Sequence, residues 1–201
     1  MSTSTIELEI PLRLGRGFKT DAERAALAVR AALKLSPHDR LPARKLANML
    51  RINVTTPERL TGATPQMLEE LIVDGKGRWS AALIKGPPSH KHLLIHNPTH
   101  SVPRQESDIF HEISHHICKH ELDGIFCVGG LVIREYSKEK EEQAEFLGYA
   151  LHLTKDALFW ANRRGMSFED ISEHFCASRQ LVQHRMNVTG VAKILARMAM
   201  S

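Results

Sequence analysis

Apolar residues alternate at the start of the chain, with Ile6, Leu8, Ile10, Leu12 and Leu14 separated by mostly polar neighbours. That two-residue period predicts a half-buried strand, which Pro11 restricts to an edge, or an arm that docks on a partner. Further along, the helical period takes over. Thr20 and Glu23 have the spacing of a capping box and predict a helix over residues 20–35, ended by Ser36-Pro37. Pro42 predicts a second helix to Leu50, residues 52–54 a short strand, and Thr64-Pro65 a third helix carrying Met67, Leu68, Leu71 and Ile72. Residues 79–85 and 91–96 are β-prone and flank the turn cluster Gly86-Pro87-Pro88-Ser89-His90, which predicts an antiparallel hairpin.

Ser101 or Val102-Pro103 can open the next helix, in which Ile109, Phe110, Ile113 and Ile117 recur at helical spacing on one flank. Residues 121–133, with Gly124, Gly129 and Gly130, read as irregular, and a long helix is predicted over 137–160 until Gly165 breaks the pattern. Beyond it, Ser167 with Asp170 caps a helix carrying Ile171 and Phe175. Cys176-Ala177-Ser178 makes a turn, and a further helix carries Leu181, Val182 and Met186, the outline of a helix-turn-helix. The chain thus divides into residues 1–160, of which 1–18 form the strand or arm, and a helical C-terminal unit, 161–201.

With 201 residues and 42% hydrophobic content, the chain can bury one sizeable core and a small appendage. The net charge of +4 is spread along the sequence, so it is weak support for a nucleic-acid partner. Arg179, Gln180, Gln183 and His184 could face a major groove, yet Arg185 falls where a DNA-binding version is usually apolar. Structural completion of the first domain, or a docking surface, is favoured over DNA binding. Cys118, Cys127 and Cys176 match neither a closed disulfide framework nor a paired-cysteine zinc ribbon, which points to a reducing compartment. Residues 1–5 lack the charged and apolar regions of a signal peptide, and the apolar run 124–133 is too short to span a bilayer. The expectation is a cytoplasmic protein with no membrane partner.

The strongest chemical signal is His111-Glu112-Ile113-Ser114-His115, an HExxH pattern. A four-residue helical step puts both imidazoles on one face, where they can ligate one zinc, while Glu112 stands beside the metal as a proton acceptor for water. A catalytic zinc usually takes a third protein ligand. Cys118 and Glu121 stand where one zinc-peptidase class has a turn glycine and a third histidine, so that class is disfavoured. His116 is rotated off the metal face and His120 ends the helix; both read as side chains that touch a ligand from outside or are solvated. A glutamate from the 137–160 helix is the better source. Glu141, Glu145 and Gly148 share one face, with Glu142 turned by about 100°. Glu141 is the preferred ligand, Glu142 the reserve, and Glu145 a carboxylate that could orient a ligand histidine. Arg104 and His96 are candidate oxyanion donors, Arg104 equally a partner for a carboxylate near the helix start. His152 lies about 16 Å along the helix from Glu141 and is a poor choice.

Residues 104–117, RQESDIFHEISHHI, and 141–153, EEQAEFLGYALHL, resemble the corresponding segments of the ImmA/IrrE family of metallo-endopeptidases. Glu145, Ser114 and Thr154 depart from that pattern, where Asn or Asp, Gly and Pro are usual. The resemblance spans roughly residues 16–190. It implies zinc held by His111, His115 and Glu141, Glu112 as catalytic base, and a regulatory substrate: a helix-turn-helix repressor whose cleavage releases stress, phage or mobile-element genes. A second class of function is a catalytically silent metal-binding module that controls a repressor or antitoxin by binding alone. The combined expectation is an α+β fold, a predominantly helical zincin-like peptidase with a small antiparallel sheet beside the HExxH helix and a helix-turn-helix-like C-terminal unit.

Overall fold

The computed structural model describes residues 12–75, 77–86, 90–121, 124–128 and 131–198. The alternating run at residues 6–14 falls mostly outside them; of its members, Leu12 packs against the core and Leu14 is exposed. Helix α1 (Phe18–Ala32) opens ahead of the expected capping box, at Gly17, whose φ of 95° suits glycine. Glu23 therefore does not cap its own helix. Its carboxylate accepts the Lys155 backbone N–H at 3.1 Å and a guanidinium N–H of Arg185 at 2.5 Å.

Helix α2 (Ala43–Met49) follows Pro42 as the sequence predicts, and Glu106 from a distant helix accepts its first N–H, that of Ala43, at 2.9 Å. Strands β1 (Ile52–Thr55), β2 (Ala81–Ile84) and β3 (His92–His96) form one sheet in the order β1-β3-β2. The predicted hairpin is present, with Leu83 opposite Leu94, but β1 adds in parallel on the other side of β3. The sheet is mixed, which corrects the expectation of an antiparallel one. A parallel pair needs a long crossover, and the segment between β1 and β3 supplies it with a 3-10 turn (Pro57–Arg59), the short α3 (Pro65–Leu68) and a π-helical turn (Glu69–Asp74). β2 is left at the sheet edge.

Helix α4 (Val102–Ile117) buries Ile109, Phe110 and Ile113 completely. After it the backbone forms a second hairpin, β4 (Gly124–Val128) with β5 (Leu131–Glu135), where an irregular segment was expected. Its β-branched and aromatic content outweighs the glycines. The long helix predicted over 137–160 is two helices, α5 (Lys138–His152) and α6 (Lys155–Arg163). Leu153 leaves helical geometry, and Thr154 caps α6 by accepting the Ala157 N–H at 3.0 Å while donating to the Pro37 carbonyl.

Two hydrophobic clusters result. The first joins α1, α2, β1 to β3, α4 and α5. The second gathers Leu153, α6, α7 (Phe168–Phe175), α8 (Arg179–Thr189) and Val191 of α9 (Val191–Met198), so α6 packs with the C-terminal helices. The capping box of Ser167 and Asp170 opens α7, and Cys176, at φ 52°, turns the chain toward α8. Arg185, fully buried, ties the clusters together: its Nε donates to the Leu153 carbonyl at 2.8 Å and its Nη2 to Glu23. Among the described residues, no helix is long and apolar enough to cross a membrane.

Candidate metal centre

Helices α4 and α5 pack closely, and the contact is set by a residue without a side chain. A Cβ on Gly148 would lie 3.3 Å from the backbone nitrogen of His111. This approach brings the first turn of α5 against the His111 and His115 face of α4. The two Nε2 atoms are 3.1 Å apart, and Glu141 places Oε2 3.2 Å from that of His111 and Oε1 3.7 Å from that of His115. Zinc bonds of about 2.0–2.1 Å in a tetrahedron would separate neighbouring ligand atoms by about 3.3 Å, so these three donors fit one zinc. The His115 side chain is 3% exposed, but those of His111 and Glu141 are 32% and 46% exposed. The centre is closed on one side and open on the other, where a fourth position would meet solvent or a substrate.

Glu112 follows His111 on α4 and reaches the sheet edge. Its Oε2 accepts the backbone N–H of Leu83 at 3.0 Å, which fixes the carboxylate against β2, an edge strand of the sheet. Glu142 points away, exposed, with Lys138 at 3.8 Å. Glu145 is exposed too and accepts the Tyr149 hydroxyl at 3.0 Å, so it does not take the expected role of orienting a ligand imidazole through a hydrogen bond.

The second ring nitrogen of His115 meets other partners. His115 Nδ1 lies 3.0 Å from His120 Nδ1, and His120 Nε2 lies 2.9 Å from Gln143 Oε1. Tyr136 stacks on the His115 ring, with centroids 3.9 Å apart. Neither Gln143 nor Tyr136 stands out in the sequence. The available signal for Gln143 was its place one turn before Leu147 on the buried side of α5.

The remaining candidates have partners of their own. His116 packs edge-on to His92, and its pKa is lowered to about 4 by burial and then by His92 and Lys85. His96 is buried against Arg44, its Nε2 2.7 Å from the guanidinium. Arg104 lies 3.9 Å from Asp108, the carboxylate alternative. His152 is buried between helices, with Ser107 on one nitrogen and the Phe175 and Cys176 carbonyls on the other. Arg179, Gln180, Gln183 and His184 line a surface groove with Phe168 and Asn187, and Arg179 is paired with Glu169 at 2.5 Å.

The electrostatics favour the neutral form of His115. Burial, then the neighbouring His111, pushes His115 down to about 4. Burial works to lower His111 as well, but the hydrogen bond to Glu141 and the charges of Glu112, Glu141 and Glu145 leave it raised. The same hydrogen bond holds the Glu141 carboxyl below its usual range. Two imidazole nitrogens and a carboxylate suit a borderline-soft divalent cation.

No curated protein and no solved structure gives a significant match to the chain. The sequence model of a peptidase family, the IrrE N-terminal-like domain, matches residues 77–187, which takes in β2, β3, the paired histidines of α4 and the glutamate of α5. On that match over more than half its length, the chain belongs to the IrrE N-terminal-like peptidase family.

Proposed function

We propose that the protein is a zinc-dependent endopeptidase of zincin-like architecture. His111, His115 and Glu141 hold the metal and Glu112 is the general base. The observation that carries this reading is the convergence of three donors from two helices on one point, with a second carboxylate, that of Glu112, fixed on a sheet edge and close enough to act on His111 by its charge. When bound, zinc supplies Lewis acidity, which makes water acidic enough to lose a proton near neutral pH and polarises a carbonyl oxygen. Glu112 accepts that proton through the carboxylate oxygen that Leu83 does not hold, and returns it to the leaving amine. The β2 edge aligns the substrate backbone by main-chain hydrogen bonds.

The proposed substrate is a helix-turn-helix repressor, which the family resemblance implies, and the proposed setting is cytoplasmic. The groove along α8 is the proposed docking surface in preference to a DNA-reading one, because Arg179 is already neutralised by Glu169. Glu112→Gln tests the chemistry. The variant should retain zinc and the fold, bind a candidate repressor and leave it intact, where wild type yields discrete fragments. Equal relief of repression by wild type and variant, with the repressor whole on a gel, would establish a silent metal-binding module instead.

A further inference from the structure

The hydrogen bonds of His115 continue past its metal-facing nitrogen. From His115 Nδ1 they run to His120 at 3.0 Å, to Gln143 at 2.9 Å and, through the Gln143 amide nitrogen, to Glu139 Oε1 at 3.3 Å. His115, His120 and Gln143 are 3%, 3% and 8% exposed, so water has little access to replace these partners.

The direction of each bond follows from the outer end. A carboxylate only accepts, so the Gln143 amide nitrogen donates to Glu139 and its oxygen faces His120. A neutral His120 then donates from Nε2 and accepts at Nδ1. His115 must donate from Nδ1, which leaves Nε2 a bare lone pair aimed at His111 and Glu141.

We infer that His120 and Gln143 are positioning residues, which hold His115 in its ligating tautomer before any metal arrives. The inference rests on the reading of His115 as a ligand.

Local structure explains how His120 reaches its place. α4 ends in a Schellman motif: Lys119 takes φ 55°, its N–H bonds the His116 carbonyl at 3.1 Å, and the His120 N–H bonds the His115 carbonyl at 3.0 Å. That turn folds the residue beyond the left-handed position back against the last helical turn. Here the pair brought together is His120 and His115, and the contact is a hydrogen bond between rings. The stacked Tyr136 ring restrains rotation out of line.

The test combines nitrogen-15 NMR of the imidazoles in the metal-free chain with zinc affinity measured against a chromophoric chelator. Wild-type His115 should be protonated at Nδ1 alone, and His120→Phe should give a mixture of tautomers. Zinc affinity should fall about 10–100-fold in His120→Phe and in Gln143→Leu, as is usual when the outer partner of a ligand histidine is lost. Gln143→Glu, which keeps an acceptor oxygen, should restore most of it. Because the residues act through one chain, the double variant should be no weaker than the weaker single variant. A wild-type His115 protonated at Nε2, a single tautomer surviving in His120→Phe, or folded variants with wild-type affinity would each overturn the relay. A wild-type chain that shows the expected tautomer yet takes up no zinc would overturn the ligand assignment and leave the relay standing.

Discussion

At the scale of single residues, helical spacing made the centre readable. A four-residue step aligns His111 with His115, and the one-residue difference between Glu141 and Glu142 decides which carboxylate faces them. The structure separates that pair clearly, with Glu141 within 3.2 Å of a histidine and Glu142 exposed beside Lys138. Zinc content of purified variants should therefore fall to background in Glu141→Ala and stay at the wild-type level in Glu142→Ala. Loss in the second, or in both, would reassign the third ligand. The outer partners of His115 were not readable in the same way. Gln143 meets His120 because Lys119 adopts a left-handed conformation, and a lysine in the sequence carries no sign of that. The Leu83 N–H on Glu112 is likewise a backbone contact that no side-chain pattern announces.

At the scale of elements, the segments with strong local signals formed where the sequence placed them. α2 after Pro42, the β2-β3 pair and the capped α7 are of this kind. Two segments depart from the sequence pattern. Glycines suggested a loop where β4 and β5 pair, and the break between α5 and α6 depends on Thr154 reaching both Ala157 and Pro37. Lys119 offers a test at this scale. A non-glycine residue at its φ of 55° is strained, so Lys119→Gly should stabilise the protein by about 0.5–1 kcal/mol, the relief of strain exceeding the entropy added to the unfolded chain. Thermal unfolding would show the gain, with zinc affinity unchanged; a lower melting temperature would contradict the Schellman assignment.

At the scale of the molecule, two apolar clusters are joined by buried polar groups. Arg185 pairs with Glu23 across them, and Arg30 donates to the backbone carbonyl of His152 at 3.3 Å. The Nε2 of His152 donates to the Phe175 and Cys176 carbonyls, and its Nδ1 lies 3.2 Å from the Ser107 hydroxyl, which itself donates to the Pro103 carbonyl. Burial lowers its pKa from 6.5 to about 4. The unfolded chain therefore binds the proton more readily, so this stabilisation is complete above about pH 6.5 and is lost as pH falls toward 4. Melting of the metal-free protein should follow that direction, and His152→Gln should be less stable at pH 7 with a shallower loss on acidification. An unchanged slope would remove His152 from the joint. The buried arginine and histidine were visible as residues, but their partners lie far off in sequence and come from packing alone.

The central claim is that two histidines and one glutamate hold a single zinc with a position left open. X-ray absorption at the zinc edge, with metal analysis, tests it most directly. The predicted result is one zinc per chain, bound by two imidazole nitrogens and one or more oxygens, with no sulfur, in wild type and in Glu112→Gln alike. A wild-type chain without zinc after reconstitution, or a metal whose two-imidazole signature persists in His111→Ala, would contradict it.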